Sequence, residues 1–140
     1  MFITRASRHD RADIEEFLES EGWTGANLRN GATFFARDGG VVGCLRLVEV
    51  EPRAVVVEDM VVAGARRREG IGRSLMQAAM NSRGGTLYLC CHDEHIAFYE
   101  KFGFAQVEEA ELPEPVRSYL IEAGDLPSSE EHPHLFMRAR

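Results

Sequence analysis

The sequence has few cysteines, no long apolar run and no excess of basic residues, and each shortage argues against a class of protein. It contains three cysteines among 140 residues, an odd number with two of them adjacent, which does not suit a disulfide framework. No apolar segment approaches the ~20 residues of a membrane-spanning helix. The first ten residues hold no apolar stretch typical of a secretory signal. We therefore expect a cytoplasmic protein with reduced thiols and no membrane partner.

The charge balance is acidic. Sixteen basic residues stand against 23 acidic residues, for a formal net charge of -7. Because no basic block is available to neutralise phosphates along a duplex, we expect no nucleic-acid partner. A cationic small molecule is compatible with this balance. No repeat, low-complexity tract or linker divides the chain, so we predict one domain over residues 1–140.

In the first half of the chain, the apolar pattern predicts a strand, a helix and an antiparallel meander. The helix runs to Ser20, with Asp10 or Asp13 as its cap, and a second short helix is predicted over 26–29. Asp38, Gly39 and Gly40 form a hairpin signal, because glycine accepts the positive φ of tight turns. The predicted strands are 2–6, 32–37, 41–50 and 54–62.

In the second half, helical and strand periods alternate. Helices are predicted over 70–81, 95–102 and 116–122, and strands over 86–91, 104–107 and 135–140. This order predicts an α/β protein with a mixed sheet and helices on its faces.

The most informative stretch is the basic, glycine-containing loop between a buried strand and an amphipathic helix, residues 61–75. Backbone amides at a helix start lack carbonyl partners and lie at the positive end of the helix dipole, so they suit an anion. Gly70 and Gly72 leave room for a phosphate, and the arginines at 66, 67, 68 and 73 add positive charge. The loop has no Gly-Lys pair of a Walker motif and no third glycine of a dinucleotide fingerprint. An exposed helix start with arginines is the alternative interpretation.

The spacing Arg67-x-x-Gly70-x-Gly72 resembles the [QR]-x-x-G-x-[GA] signature of the GNAT superfamily of acetyl-CoA-dependent N-acetyltransferases. Two further features resemble the same family. Strand 55–62 is similar to the family's fourth strand, which leads into this loop, and residues 97–104 are similar to its F-Y-x-x-x-G-F helix ending. The resemblance implies a GNAT fold: a mixed central sheet of about seven strands, helices on both faces, and a splayed fourth strand.

The resemblance also implies acetyl-CoA as co-substrate. Its pyrophosphate is expected on the backbone amides of residues 68–73, and its pantetheine arm along the backbone of residues 60–62. Where many relatives have an asparagine at the head of the next helix, this chain has residues 92–95. The expected coenzyme-binding residues are Met60, Val61, Val62, Arg67, Arg68, Glu69, Gly70, Ile71, Gly72, Arg73 and Ser74.

Acetylation of an amine needs a proton acceptor, because an amine of lysine type has a reference pKa near 10.4. Its neutral form at pH 7 therefore costs about 4.6 kcal/mol. Glu58 and Asp59 are the candidates. They are adjacent in a strand and point to opposite faces, so one can face the acceptor while the other is solvated or paired. We favour Glu58, which shares a strand face with Met60 and Val62. The alternative for both is a paired structural carboxylate.

The reaction also needs an acid for the departing thiolate and donors for the thioester oxygen. Tyr99 is the candidate acid, because a phenol with a pKa near 10 is protonated at pH 7 and the family's tyrosine at this position faces the coenzyme sulfur. The alternative is a core tyrosine. The backbone N–H near Val62 is the expected oxyanion donor. Trp23 is expected either to line the acceptor cleft and bind substrate with Glu58, or simply to pack.

The segment Cys90-Cys91-His92-x-x-His95 lacks a C-x2-C pair, so we expect no metal. We predict a surface turn at His132-Pro133-His134.

The expected function is acetyl transfer from acetyl-CoA to a primary amine by direct attack, with a small-molecule acceptor such as an amino acid. Two alternatives stay open: a protein N-terminal or lysine acetyltransferase, and a non-catalytic acetyl-CoA sensor. Because relatives often pair through C-terminal strands, 135–140 is a candidate edge for a homodimer.

Overall fold

The computed structural model describes residues 1–131 and 133–140, which form a seven-stranded mixed sheet with four α-helices. The strand order is β1-β2-β3-β4-β5-β7-β6. This architecture confirms the predicted α/β fold class. The elements are β1 (Phe2–Arg5), α1 (Arg11–Ser20), β2 (Ala32–Asp38), β3 (Gly40–Glu51), β4 (Ala54–Val62), α2 (Ile71–Asn81), β5 (Thr86–Cys91), α3 (Ile96–Glu100), β6 (Ala105–Val107), α4 (Glu114–Glu122) and β7 (Leu135–Ala139).

The described chain divides into two compact units. The first combines Met1–Val48 with Val57–Gly84, and the second combines Glu49–Val56 with Gly85–Arg140. A single domain over 1–140 stays a prediction. In the described part of the chain, none of the helices combines the length and the apolar character that crossing a bilayer requires.

In the first unit, α1 and α2 pack on opposite faces of β3. Cys44 joins the buried cluster of α1 that includes Ile14 and Leu18. The neighbouring residue, Gly43, faces α2 instead. A Cβ at this position would lie 3.0 Å from Cγ2 of Ile71 and 3.1 Å from Cδ1 of Leu75. The absence of a side chain at Gly43 therefore lets the first turns of α2 approach the sheet closely.

In the second unit, β7 lies between two partners. It pairs antiparallel with β5, where Cys91 opposes Leu135, and antiparallel with β6, where Val107 opposes Phe136. The prediction that 135–140 is a free edge is therefore wrong, because both sides of β7 are hydrogen-bonded within the chain. The helix α4 contributes Val116 and Leu120 to the buried cluster of this unit.

The strand β4 changes its surroundings part-way along its length. It pairs in parallel with β5 from Ala54 opposite Thr86 to Val56 opposite Tyr88, and in the described chain this pairing goes no further. Beyond that point Asp59 has a left-handed φ of 53°, which interrupts the regular strand backbone. The second half of β4 thus has the splayed character that the family resemblance implies.

Short polar side chains bond to nearby backbone at two places in this half of the chain. The predicted helix over 26–29 is not formed, and residues 28–29 lie in a turn where Asn27 Oδ1 accepts the Arg29 N–H at 3.2 Å. Asp10 occupies the N-cap position of α1, as predicted, but its side chain makes no capping bond to the helix. Its carboxylate instead accepts the N–H of Ser7 at 2.8 Å, which closes the short 3-10 turn before the helix. The turn predicted at 132–134 has its first residue, His132, outside the described residues.

Candidate active site

The loop that joins β4 to α2 reverses the chain by means of two left-handed residues. A 3-10 turn at Gly64–Arg66 follows β4, and Arg68 and Gly70 then adopt φ values of 69° and 84°. The N–H of Ser74 donates to the carbonyl of Gly70 at 3.0 Å, which is the first hydrogen bond of α2. The N–H groups of residues 71–73, which lie between Gly70 and Ser74, therefore have no carbonyl partner within the helix.

Gly70 lies at an open position. A Cβ at this residue would meet no atom within 4 Å, so the glycine is required by its left-handed backbone rather than by crowding inside the protein. The start of α2 consequently faces open space on this side. An anion can approach these amides without displacing a side chain.

The four arginines of the loop have different surroundings. Arg66 bridges two carboxylates: Nη2 donates to Asp38 at 2.9 Å and Nε donates to Glu69 at 2.9 Å. The hydrogen bond from Arg66 lowers the pKa of Asp38 below its usual value. Arg66 therefore fixes the loop against the end of β2. The other three arginines, at 67, 68 and 73, are exposed beside the open amides.

Behind the loop, Asp59 forms a buried ion pair with Arg46. The Arg46 Nε donates to Asp59 Oδ2 at 2.7 Å, and both side chains are 5% exposed. The Trp23 Nε1 donates to the other carboxylate oxygen at 2.9 Å, and Arg46 Nη1 donates to the Asn30 carbonyl at 2.9 Å. Both oxygens of Asp59 therefore hold a donor, which is what a buried carboxylate requires.

This network brings together two residues that the sequence indicated, Trp23 and Asp59, and one that it did not, Arg46. The signal for Arg46 was a charge in the middle of the apolar part of the strand Gly40–Glu51, since such a charge needs a buried partner. Trp23 is 43% exposed, so it bonds to the network with its ring nitrogen while part of its ring faces solvent. Asp59 is suited to hold β4 in place rather than to accept a proton, which would cost it the pairing with Arg46.

Glu58 lies on the other side of the strand. Along this part of β4, the half-buried residues Glu58, Met60 and Val62 alternate with the buried residues Asp59 and Val61. The strand face shared by Glu58, Met60 and Val62 is therefore the more accessible one.

Tyr99 is a buried residue of α3, 9% exposed, and packs edge-on against Phe98 and Phe104, with ring centroids 5.1 and 5.8 Å away. Within the described residues, no group forms a hydrogen bond with its hydroxyl. Burial, and then the nearby Cys91 and Cys90, raise the pKa of Tyr99 above its usual value. The phenol is therefore held in its protonated form.

Two of the thiols are poor nucleophiles. Burial, followed by the charge of Asp59, raises the pKa of Cys44 to about 12. Burial, followed by the charge of Asp93, raises the pKa of Cys91 to about 11. Because the thiolate is the reactive form, neither cysteine is suited to carry an acyl group near neutral pH.

A mixed sheet, a central strand that leaves its parallel neighbour and a glycine-containing loop at a helix start together define an α/β acyltransferase architecture. The family model described as the acetyltransferase (GNAT) domain matches residues 29–106, more than half of the chain. The chain belongs to this family.

Solved structures share the fold at low sequence identity. An acetyltransferase of the GNAT family from Staphylococcus aureus Mu50 is 17% identical, with a TM-score of 0.69. The match covers 99% of this chain and 97% of the Staphylococcus chain. Rv2747 from Mycobacterium tuberculosis, in complex with CoA and NLQ, is 20% identical with a TM-score of 0.73, covering 99% and 98%. N-acetylglutamate synthase from Neisseria gonorrhoeae, complexed with coenzyme A and N-acetyl-glutamate, is 18% identical with a TM-score of 0.69, covering 100% of this chain and 35% of its own.

Proposed function

We propose that the protein transfers an acetyl group from acetyl-CoA to the primary amine of a small molecule, by direct attack of the amine on the thioester. The observation that carries the proposal is the set of open amides at the start of α2, directly after the splayed half of β4. Membership of the GNAT family supports acyl transfer as the reaction. We propose a cytoplasmic location as well.

The loop and β4 are the proposed coenzyme site. The amides of 68–73 would hold the pyrophosphate, with Ser74 continuing the helix behind them, because these donors lie at the positive end of the helix dipole. The exposed arginines at 67, 68 and 73 would add charge-assisted hydrogen bonds. The backbone of 60–62 would pair with the pantetheine arm, since the pairing of β4 with β5 ends at Val56. An N–H near Val62 would then donate to the thioester oxygen.

Glu58 is the proposed proton acceptor, acting directly or through one water molecule. It is half-buried on the accessible face of β4, whereas Asp59 is held by Arg46 and Trp23. We propose Asp59 as a positioning residue that fixes the left-handed backbone next to Glu58. Trp23 is the proposed substrate-lining residue, because it keeps an exposed ring surface while Asp59 holds its nitrogen.

Tyr99 is the proposed acid. Its phenol is protonated and makes no hydrogen bond within the described residues, so a proton is present and unshared where a departing thiolate would need one. The raised pKa values of Cys44 and Cys91 support direct attack over an acyl-cysteine route.

Two comparisons support an amino-acid acceptor. One of the similar structures is an N-acetylglutamate synthase complexed with N-acetyl-glutamate, and another holds CoA and NLQ. The experiment measures free-thiol release from acetyl-CoA against amino acids, polyamines, aminosugars and short peptides. Turnover with an amino acid supports the proposal. Turnover confined to peptides would replace it with a protein acetyltransferase, and coenzyme binding without turnover would replace it with a sensor.

Arg67→Ala and Arg73→Ala are each expected to weaken coenzyme A binding about tenfold, since each would remove a charge-assisted bond to phosphate. Calorimetry at low and high salt measures the effect, and both variants should show a smaller salt dependence than the wild type. The matched control is Arg5→Ala, an exposed arginine of β1 in the same unit. Equal losses in Arg5→Ala and Arg67→Ala would show that only overall charge matters.

A further inference from the structure

Three potential metal ligands that are far apart in the sequence come together in the second unit. They are Cys90 at the end of β5, Asp125 after α4, and His134 just before β7. The thiol sulfur, a carboxylate oxygen and a ring nitrogen all lie within 4.8 Å of one another, and all three residues are half-buried. His134 Nε2 lies 4.0 Å from Asp125 Oδ1.

The fold fixes the backbone of all three residues. Cys91 opposes Leu135 in the β5–β7 pair, which places His134 next to the end of β5. The N–H of Asp125 donates to the Leu120 carbonyl at 2.9 Å, which closes the turn after α4. The cluster is thus built on a strand pair and a helix end rather than on three loops.

The donor set has the chemistry of a borderline metal ion. A thiolate, an imidazole and a carboxylate are all ligands of Zn²⁺, with bonds of about 2.0–2.3 Å, so tetrahedral ligands lie about 3.3–3.8 Å apart. The three ligand atoms lie within 4.8 Å of one another. They would reach the tetrahedral spacing if their side chains moved by about 1 Å.

We propose that Cys90, Asp125 and His134 form a site for a divalent metal ion of the Zn²⁺ type, with water in the fourth position. The ion would tie β5, the turn after α4 and the start of β7 together. This proposal departs from the expectation of no metal. That expectation rested on Cys90-Cys91-His92-x-x-His95, in which neighbouring cysteines alternate faces, whereas the ligands that accompany Cys90 come from far downstream.

The test is a titration of tag-free, metal-stripped protein with Co²⁺, followed by competition with Zn²⁺. We expect one equivalent of Co²⁺ to give a near-ultraviolet thiolate charge-transfer band and visible bands of a tetrahedral ion, both removed by Zn²⁺. Cys90→Ser should abolish the near-ultraviolet band, and Asp125→Asn and His134→Gln should each weaken binding at least about tenfold. Cys91→Ser is the matched control and should keep the band.

A thermal melt with and without Zn²⁺ provides a second readout. The midpoint should rise with Zn²⁺ in the wild type and in Cys91→Ser, and stay constant in Cys90→Ser and His134→Gln. Circular dichroism checks that each variant is folded before titration. The proposal is overturned if the wild type shows no thiolate band, or if the band survives Cys90→Ser. Neither readout depends on coenzyme binding or turnover, so this result is separate from the proposed function.

Discussion

Arg46→Met is expected to lower the free energy of unfolding by about 3–5 kcal/mol, because it leaves a buried carboxylate without its charged partner. Asp59 is only 6% exposed, and its Oδ2 lies 2.7 Å from the Arg46 Nε. Methionine fills a similar volume, so the change removes charge and donors with little change in packing. Denaturant unfolding followed by fluorescence or circular dichroism measures the effect.

The matched control is Arg37→Met. Arg37 pairs with Asp13 at 3.1 Å, but these side chains are 29% and 57% exposed, and an exposed pair contributes about 1 kcal/mol or less. Asp59→Asn completes a double-mutant cycle with Arg46→Met, since asparagine also tolerates the left-handed φ of 53° at this position. If Arg46→Met costs no more than Arg37→Met, the buried pair does not hold β4 as described.

Tyr99→Phe is expected to lower kcat about 10²- to 10³-fold while the Kd for coenzyme A changes less than about threefold. The substitution removes the hydroxyl and keeps the ring contacts with Phe98 and Phe104. Turnover and calorimetry on the same preparation separate the two quantities. Tyr88→Phe is the control, a buried tyrosine of β5 in the core of the same unit, and should retain turnover. Unchanged kcat in Tyr99→Phe would remove this residue as the acid.

The pH dependence of kcat gives an independent test of the same role. Burial raises the pKa of Tyr99, so the protonated, proton-donating form persists to higher pH than for an ordinary phenol. Turnover at saturating substrate should therefore show no falling limb from Tyr99 below about pH 10, the reference value. A falling limb near pH 8 that disappears in Tyr99→Phe would contradict a raised pKa.

The elements predicted most accurately from the sequence are those formed by residues that are adjacent in the chain. The strands 54–62 and 86–91 are apolar runs bounded by turn residues, and their predicted limits match β4 and β5. The loop from Arg67 to Gly72 was recognised because its residues are contiguous. Glycine at position 70 carries the left-handed φ that such a helix start needs.

Contacts between distant segments could not be predicted in the same way. Nothing local to Asp59 indicates that Arg46 is its partner, since the pairing depends on the register of neighbouring strands. Likewise, 135–140 was expected at an edge because relatives in the family often pair through their C-terminal strands, but β7 lies between β5 and β6, since sheet order differs from sequence order. The cluster of Cys90, Asp125 and His134 exists only once β7 lies beside β5.

The most direct test of the central claim compares, by calorimetry, the binding of coenzyme A with that of pantetheine, which lacks the pyrophosphate and the adenosine 3′-phosphate attached to it. If the open amides at 71–73 and the exposed arginines hold the pyrophosphate, coenzyme A should bind at least about 100-fold more tightly, as expected for two or more charge-assisted hydrogen bonds. Equal affinity for the two ligands, or no binding of coenzyme A, would contradict the assignment of this loop as the coenzyme site.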